Sequence, residues 1–186
     1  MTLYDLLMNI YKEYGFSKEV TINVVRPGKT GADEIKQMMT NFRNNPPTDL
    51  GGSKICLWKD FQTLEAKKAD GSADKIDMPA TSNVLQWFCE DGTKVSVRPS
   101  GTEPKIKFYT EVKDASFQGA DDYERCIKAA EEKIEGIKKS GVINTGILDL
   151  IGEKIHAGMS TLEINELAHN YTIEHGAIPA TLGTSR

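Results

Sequence analysis

No stretch of this sequence is apolar over anything near the ~20 residues that a bilayer-crossing helix requires, which excludes a helical membrane span. Basic residues are not in excess. Lys and Arg number 23 against 27 Asp and Glu, a formal charge of −4, which argues against a chain built to hold nucleic acid. Cysteine is scarce and odd in number: Cys56, Cys89 and Cys126 lie far apart. Such a set fits a reducing cytosol better than a disulfide framework or a zinc site. The opening residues, Met-Thr-Leu-Tyr-Asp-Leu-Leu-Met, lack a basic n-region, so a signal peptide is not expected and a cytoplasmic setting is. What remains is a globular composition, 39% hydrophobic and 27% charged over 186 residues, enough for one ordinary domain and an extension. No internal repeat is visible.

Hydrophobic spacing sets out the elements. Residues 2–14 read as a helix with Leu3, Leu6, Leu7, Ile10, Tyr11 and Tyr14 on one apolar face and Gly15 as its stop. Residues 20–25 are extended and close at Pro27-Gly28. A second helix is expected over 31–44, with Thr30 and Asp33 as its N-terminal capping pattern and Ile35, Met38, Met39 and Phe42 inward. Asn44-Asn45-Pro46-Pro47 ends it. Residues 53–61 are β-rich, 67–79 are polar and loop-like, and 83–89 alternate. Glu90-Asp91-Gly92-Thr93 then marks a hairpin into 94–98. In 106–112, Ile106, Phe108 and Thr110 share one face, and Lys105, Lys107 and Tyr109 the other. A charged helix over about 121–139 buries Tyr123, Ile127, Ala130, Ile134 and Ile137. Residues 17–139 thus read as α+β, a small antiparallel sheet with helices on one face, followed by a helical C-terminal extension.

The most informative stretch is Arg98-Pro99-Ser100-Gly101-Thr102-Glu103-Pro104-Lys105, which joins two predicted strands. Arg98 offers a planar fork for two anion oxygens. Ser100 and Thr102 each offer a hydroxyl donor. Gly101 is expected to let the backbone turn and bring its N–H groups to the anion, and Pro99 and Pro104 stiffen the flanks. This set suits a phosphate. The same residue types also build ordinary solvated turns.

The order of the letters resembles the phosphate-binding loop of the α-D-phosphohexomutases, the phosphoglucomutase and phosphomannomutase family. The resemblance covers residues 1–139: 1–16 resemble the last helix of that family's third domain, and 17–139 its fourth domain, of TATA-binding-protein-like architecture. It implies that Arg98, Ser100, Gly101 and Thr102 contact the phosphate of a phosphosugar substrate, and that Lys105 either touches it or flanks it. Residues 132–183 resemble instead the N-terminal segment of a type I methionine aminopeptidase. That second likeness is carried by Ile151-Gly152-Glu153-Lys154-Ile155-His156-Ala157-Gly158-Met159-Ser160-Thr161-Leu162-Glu163 and Glu174-His175-Gly176-Ala177-Ile178-Pro179-Ala180. Ser160 and Glu163 form a capping box for a helix to about 174. The join falls inside a helix, either continuous over 121–155 or broken near Ser140-Gly141 or at Gly146.

Most of the catalytic chemistry these resemblances imply is missing. There is no Ser-His-Asn-Pro string, hence no candidate phosphoserine. Asp70-Gly71-Ser72-Ala73-Asp74-Lys75 resembles the family's magnesium loop with its middle ligand replaced, and two carboxylates on a turn supply octahedral geometry poorly. No cofactor is expected in this chain; magnesium belongs to the complete phosphohexomutase. His156, His169 and His175 show no metal-ligand spacing. The expected function is a phosphosugar-binding domain that is inactive alone, with no nucleic-acid or membrane partner. The alternatives are a non-enzymatic module that self-associates through 1–16 and 140–186, and an aminopeptidase fragment without its metal site.

Overall fold

The computed structural model describes residues 1–175 and divides into two compact units, Met1–Ile134 and the part from Glu135 onward. In the first unit, α1 (Leu3–Tyr14) leads into β1 (Phe16–Val25), α2 (Gly31–Asn44), β2 (Asp49–Leu50), β3 (Ser53–Asp60), β4 (Glu65–Lys68) and β5 (Ala73–Lys75). Three longer strands follow: β6 (Leu85–Cys89), β7 (Lys94–Pro99) and β8 (Lys105–Asp114). The sheet runs β1-β8-β7-β6-β3-β4-β5, antiparallel throughout, with β2 paired to β3.

Alternation decides which face is covered. Leu85, Trp87, Cys89, Val95, Val97, Ile106 and Val112 are buried, and each large one contributes about 1.5–3 kcal/mol by leaving water. α2 lies on that face through Ile35 and Met39, with Phe42 edge-on to Trp87 at 5.3 Å and to Phe108 at 6.0 Å. The helix α3 (Tyr123–Lys154) covers the same face nearer Phe16 and Val112, through Cys126, Ala130 and Ile134. Helices on one face of an antiparallel sheet is the α+β arrangement expected from the sequence.

Several expectations change. β1 pairs over all its 10 residues with β8, well beyond the stretch 20–25, because the polar Ser17, Lys18 and Glu19 face a partner strand that is itself half polar. Residues 65–75, which overlap the stretch 67–79 read as loop, form the hairpin β4–β5; Ala66 alone is buried there, so no apolar alternation marks it. Thr30 does not cap α2. Its backbone is already helical, and its hydroxyl donates to the Glu34 carboxylate at 2.8 Å instead. In α1 the inward residues are Met8 and Tyr11, the latter against Phe16, Phe117 and Tyr123, while Leu3, Leu6, Leu7 and Ile10 face outward.

α3 is one helix of 32 residues, with no break at Ser140-Gly141 or Gly146. In the second unit α4 (Thr161–Glu174) begins at the expected capping box: Glu163 N–H donates to Ser160 Oγ, and Ser160 N–H to the Glu163 carboxylate at 2.7 Å. Residues 176–180 of the second resemblance lie outside the described residues.

Candidate functional site

The loop 100–104 is seated by backbone geometry at both ends. Ser100 N–H donates to the Lys105 carbonyl at 2.8 Å, and Lys105 N–H to the Glu103 carbonyl at 2.7 Å. Arg26 N–H, just past β1, donates to the Pro104 carbonyl at 2.9 Å. Gly31 makes that contact possible: a Cβ there would lie 1.8 Å from the Arg26 carbonyl oxygen and 3.2 Å from the Pro104 side chain. The start of α2, the end of β1 and the start of β8 therefore meet at one point beneath the loop.

An open cleft of about 420 Å³ runs beside the loop, lined by Arg98, Pro99, Ser100 and Gly101 on one side and Ser82, Asn83 and Val84 on the other. Arg98 is exposed, with no hydrogen-bond or ion-pair partner among the described residues. Its cross-strand neighbour in the β7–β8 ladder is Lys107, which likewise has no ion-pair partner among the described residues. Directly opposed residues in an antiparallel pair share a face, so both cations lie on the side of the sheet away from the helices. Lys105 behaves differently, being ion-paired to Glu103. The hydrogen bond and charge of Lys105, helped by the charge of Lys107, hold the Glu103 carboxyl below its usual range.

Of the residues singled out in the sequence, Arg98, Ser100 and Gly101 line the cleft, whereas Thr102 and Lys105 do not. Thr102 N–H reaches back toward Ser100 Oγ at 3.5 Å. The chain bends at Gly101 without a left-handed conformation there. A Cβ at that position would meet nothing within 4 Å, so the space beside the Gly101 Cα is open. Sequence reasoning missed Lys107, Ser82 and Asn83. The alternation in 106–112 had put Lys107 on the face away from Ile106, Phe108 and Thr110, but only the register of the hairpin sets it opposite Arg98.

The far end of β8 is closed by contrast. Glu111 is bridged by Lys94 at 2.5 Å and Lys113 at 3.3 Å and accepts from Ser17. Burial pushes its carboxyl up, but those donors outweigh burial and leave it below the usual range. Asp114 accepts from the Ser116 hydroxyl at 2.6 Å, the Ser116 N–H at 2.8 Å and Arg125 at 3.1 Å. The Ser116 bonds foremost hold its carboxyl low.

The stretch resembling a magnesium loop does not fit a metal. Asp70 Oδ1 is taken by the Ser72 hydroxyl at 2.6 Å and its N–H at 2.8 Å, which lower the carboxyl's pKa, and Asp74 pairs with Lys68 at 3.3 Å. Among the described residues no group of three or more His, Cys, Asp or Glu is arranged to hold a metal ion. Nor is any described helix long and apolar enough to cross a membrane.

Residues 22–117, from within β1 to just past β8, match the family described as phosphoglucomutase/phosphomannomutase, C-terminal domain. The chain belongs to that family. The phosphoglucomutase of Staphylococcus aureus (strain MRSA252) is 37% identical over 117 residues, 62% of this chain and 21% of the relative. That of Staphylococcus haemolyticus is 33% identical over 118 residues, 63% of this chain and 21% of the relative. A solved open form of pp63/parafusin from Paramecium overlaps 74% of this chain and 23% of its own, at 16% identity and a TM-score of 0.37. The chain thus spans about a fifth of the length of these phosphoglucomutases. Both the 98–105 loop and the opposite wall at 82–84 fall within the phosphoglucomutase/phosphomannomutase match; residues 118–186 fall outside it.

Proposed function

We propose that this chain is a phosphosugar-binding domain of the phosphoglucomutase/phosphomannomutase type, which grips the substrate's phosphate and catalyses no phosphoryl transfer alone. The observation that carries this is the Arg98–Lys107 pair. Two like charges directly opposite in a sheet repel each other, and neither forms an ion pair among the described residues, although the charge of Lys107 is felt at Glu103. A dianionic phosphate at the mouth of the cleft relieves that repulsion. Arg98 then takes two of its oxygens, Lys107 supplies a second positive charge, and the Ser100 hydroxyl and Gly101 N–H donate from the loop. Thr102 shapes the loop and donates from its rim. Lys105, engaged by Glu103, flanks the site and sets the loop's shape. Clamping without a nucleophile moves no phosphoryl group, so the domain's contribution to the whole reaction is orientation of the non-reacting end. Three free thiols, two of them buried, suit a reducing cytoplasm.

The test is an amide NMR titration of the 186-residue chain with glucose 1-phosphate. Shifts centred on 98–107 are expected, with affinity falling about 10- to 100-fold in Arg98→Ala, the loss of charge-assisted bonds. Undiminished binding in that variant would contradict the reading.

A second reading rests on the outward stripe of α1. Leu3, Leu6, Leu7 and Ile10 are 86%, 43%, 36% and 44% exposed, and we infer that this stripe pairs with a second copy of the chain. Light scattering should show a dimer that Leu3→Glu with Leu7→Glu dissolves; a monomeric wild type removes this reading. The aminopeptidase likeness of 132–183 adds no chemistry. The His175 ring is stacked on Tyr171 at 3.9 Å, and His156 contacts a backbone carbonyl.

A further inference from the structure

The wall of the cleft opposite the 98–105 loop is held by a network that the phosphate reading leaves unused. Arg43, in the last turn of α2, donates through Nε to Asp60 at 2.9 Å and through a terminal nitrogen to Asn83 Oδ1 at 2.6 Å. Asp60 closes β3, and Asn83 lies two residues before β6, the sheet neighbour of the strand that carries Arg98. Arginine has donors and no acceptor. It can therefore face only the oxygen of the Asn83 amide, and that fixes which way the amide is turned. The Asn83 –NH2 group has no partner among the described residues, and Asn83 is one of the residues that line the cleft.

Resting on the phosphate reading, we propose that Asn83 is a specificity-determining residue: its amide –NH2 donates to an oxygen of the sugar once the phosphate is held by Arg98, with Arg43 and Asp60 as its positioning residues. The chemistry that selects the sugar is neutral. Arg98 and Lys107 meet the anionic end. Asn83, whose own charge is nil and whose oxygen is occupied, offers two N–H donors to a hydroxyl or ring oxygen across the cleft. Inorganic phosphate, lacking that oxygen, gains nothing from Asn83. The network thus distinguishes a phosphosugar from a bare phosphate.

The experiment compares two probes, glucose 1-phosphate and inorganic phosphate, by amide shift titration in wild type, Asn83→Ala, Arg43→Met and Arg98→Ala. Asn83 is exposed, so its truncation leaves the fold intact, which the dispersion of the same spectra checks. The expected result is a three- to tenfold weakening of glucose 1-phosphate in Asn83→Ala, about one neutral hydrogen bond, with phosphate affinity unchanged. Arg43→Met should reproduce that selective loss, and Arg98→Ala should weaken both probes. Glucose 1-phosphate affinity indifferent to Asn83→Ala, or equal loss of both probes, overturns the role of Asn83 while leaving the phosphate site standing. Absence of any response at 98–107 to either probe in the wild type overturns the phosphate reading and this inference together.

Discussion

At its Lys105 end β8 meets a hairpin partner across two opposed cations, Arg98 and Lys107, that form no ion pair among the described residues; at its Asp114 end Glu111, Lys113 and Asp114 each have an ion-pair partner. The residue types are alike, with lysines and an arginine near each end. The arrangement differs. Around Glu111 and Asp114 donors converge on carboxylates that fasten β1, β7 and the start of α3 to the strand. Around Arg98 the backbone does the fastening, through the Arg26–Pro104 and Ser100–Lys105 bonds, Lys105 is spent on Glu103, and Arg98 and Lys107 form no ion pair among the described residues. Charges consumed by the fold and charges held ready for an external anion can therefore be told apart on one strand by asking what satisfies them.

The sharpest way to break the contrast is at Gly31. Because a Cβ there would overlap the Arg26 carbonyl, Gly31→Ala must push β1 and Pro104 apart. We expect a loss of about 3 kcal/mol, the upper part of the usual overpacking range, measured by urea unfolding, with phosphate-induced shifts at 98–107 lost as well.

Next come the two ends themselves. Asp114→Ala should cost roughly 1–3 kcal/mol through the orphaned Ser116 and Arg125 donors without weakening glucose 1-phosphate. Arg98→Ala should do the reverse, changing stability by less than about 0.5 kcal/mol, as exposed substitutions do, while weakening the ligand. Equal stability losses would erase the distinction.

pH gives a smaller effect of defined sign. The carboxyls of Glu111 and Asp114 are depressed in the folded chain relative to ordinary values of 4.5 and 3.8. Their contribution is complete above those values and lost as pH falls through the depressed folded ones. Thermal melts should show a steepening acid loss below about pH 4.5 that Glu111→Gln flattens. On the alkaline side, burial pushes the Cys89 thiol from 9.0 up to about 11. Between those values the unfolded chain releases a proton that the folded chain keeps, so stability falls as pH rises from 9.0 toward 11. Cys89→Ala, though less stable overall, should show a shallower decline across that window.

What the sequence disclosed followed the range over which its signals act. The loop 98–105 was legible because proline, glycine and hydroxyl residues act on their own few neighbours, and the strands around it because Leu85, Trp87, Val95, Val97 and Ile106 alternate. Lys107 was assigned to its face but not to Arg98, since a register is a relation between two strands. Asn83 was out of reach for the same reason: it joins the cleft only through the neighbouring of β6 and β7 and a tether from Arg43 on α2. The hairpin β4–β5 was hidden by having almost nothing to bury. In α1 the stronger stripe proved to be the outward one, because Met8 and Tyr11 alone meet the aromatic cluster at Phe16 and Phe117.

The pairing of Pro99 with Ile106 and of Arg98 with Lys107 also restricts how this hairpin can vary in length. Removing a single residue between Lys107 and Thr110 would invert every position beyond it, turning Val112 to water and driving Glu111 into the apolar layer. Removing one from 100–104 would spare the alternation but pull Ser100 and Gly101 off the cleft. Neither strand nor connection has slack, so insertions and deletions among descendants of this gene are expected to collect elsewhere, at turns such as those at Gly52 and Gly71, where an added Cβ would meet nothing within 4 Å.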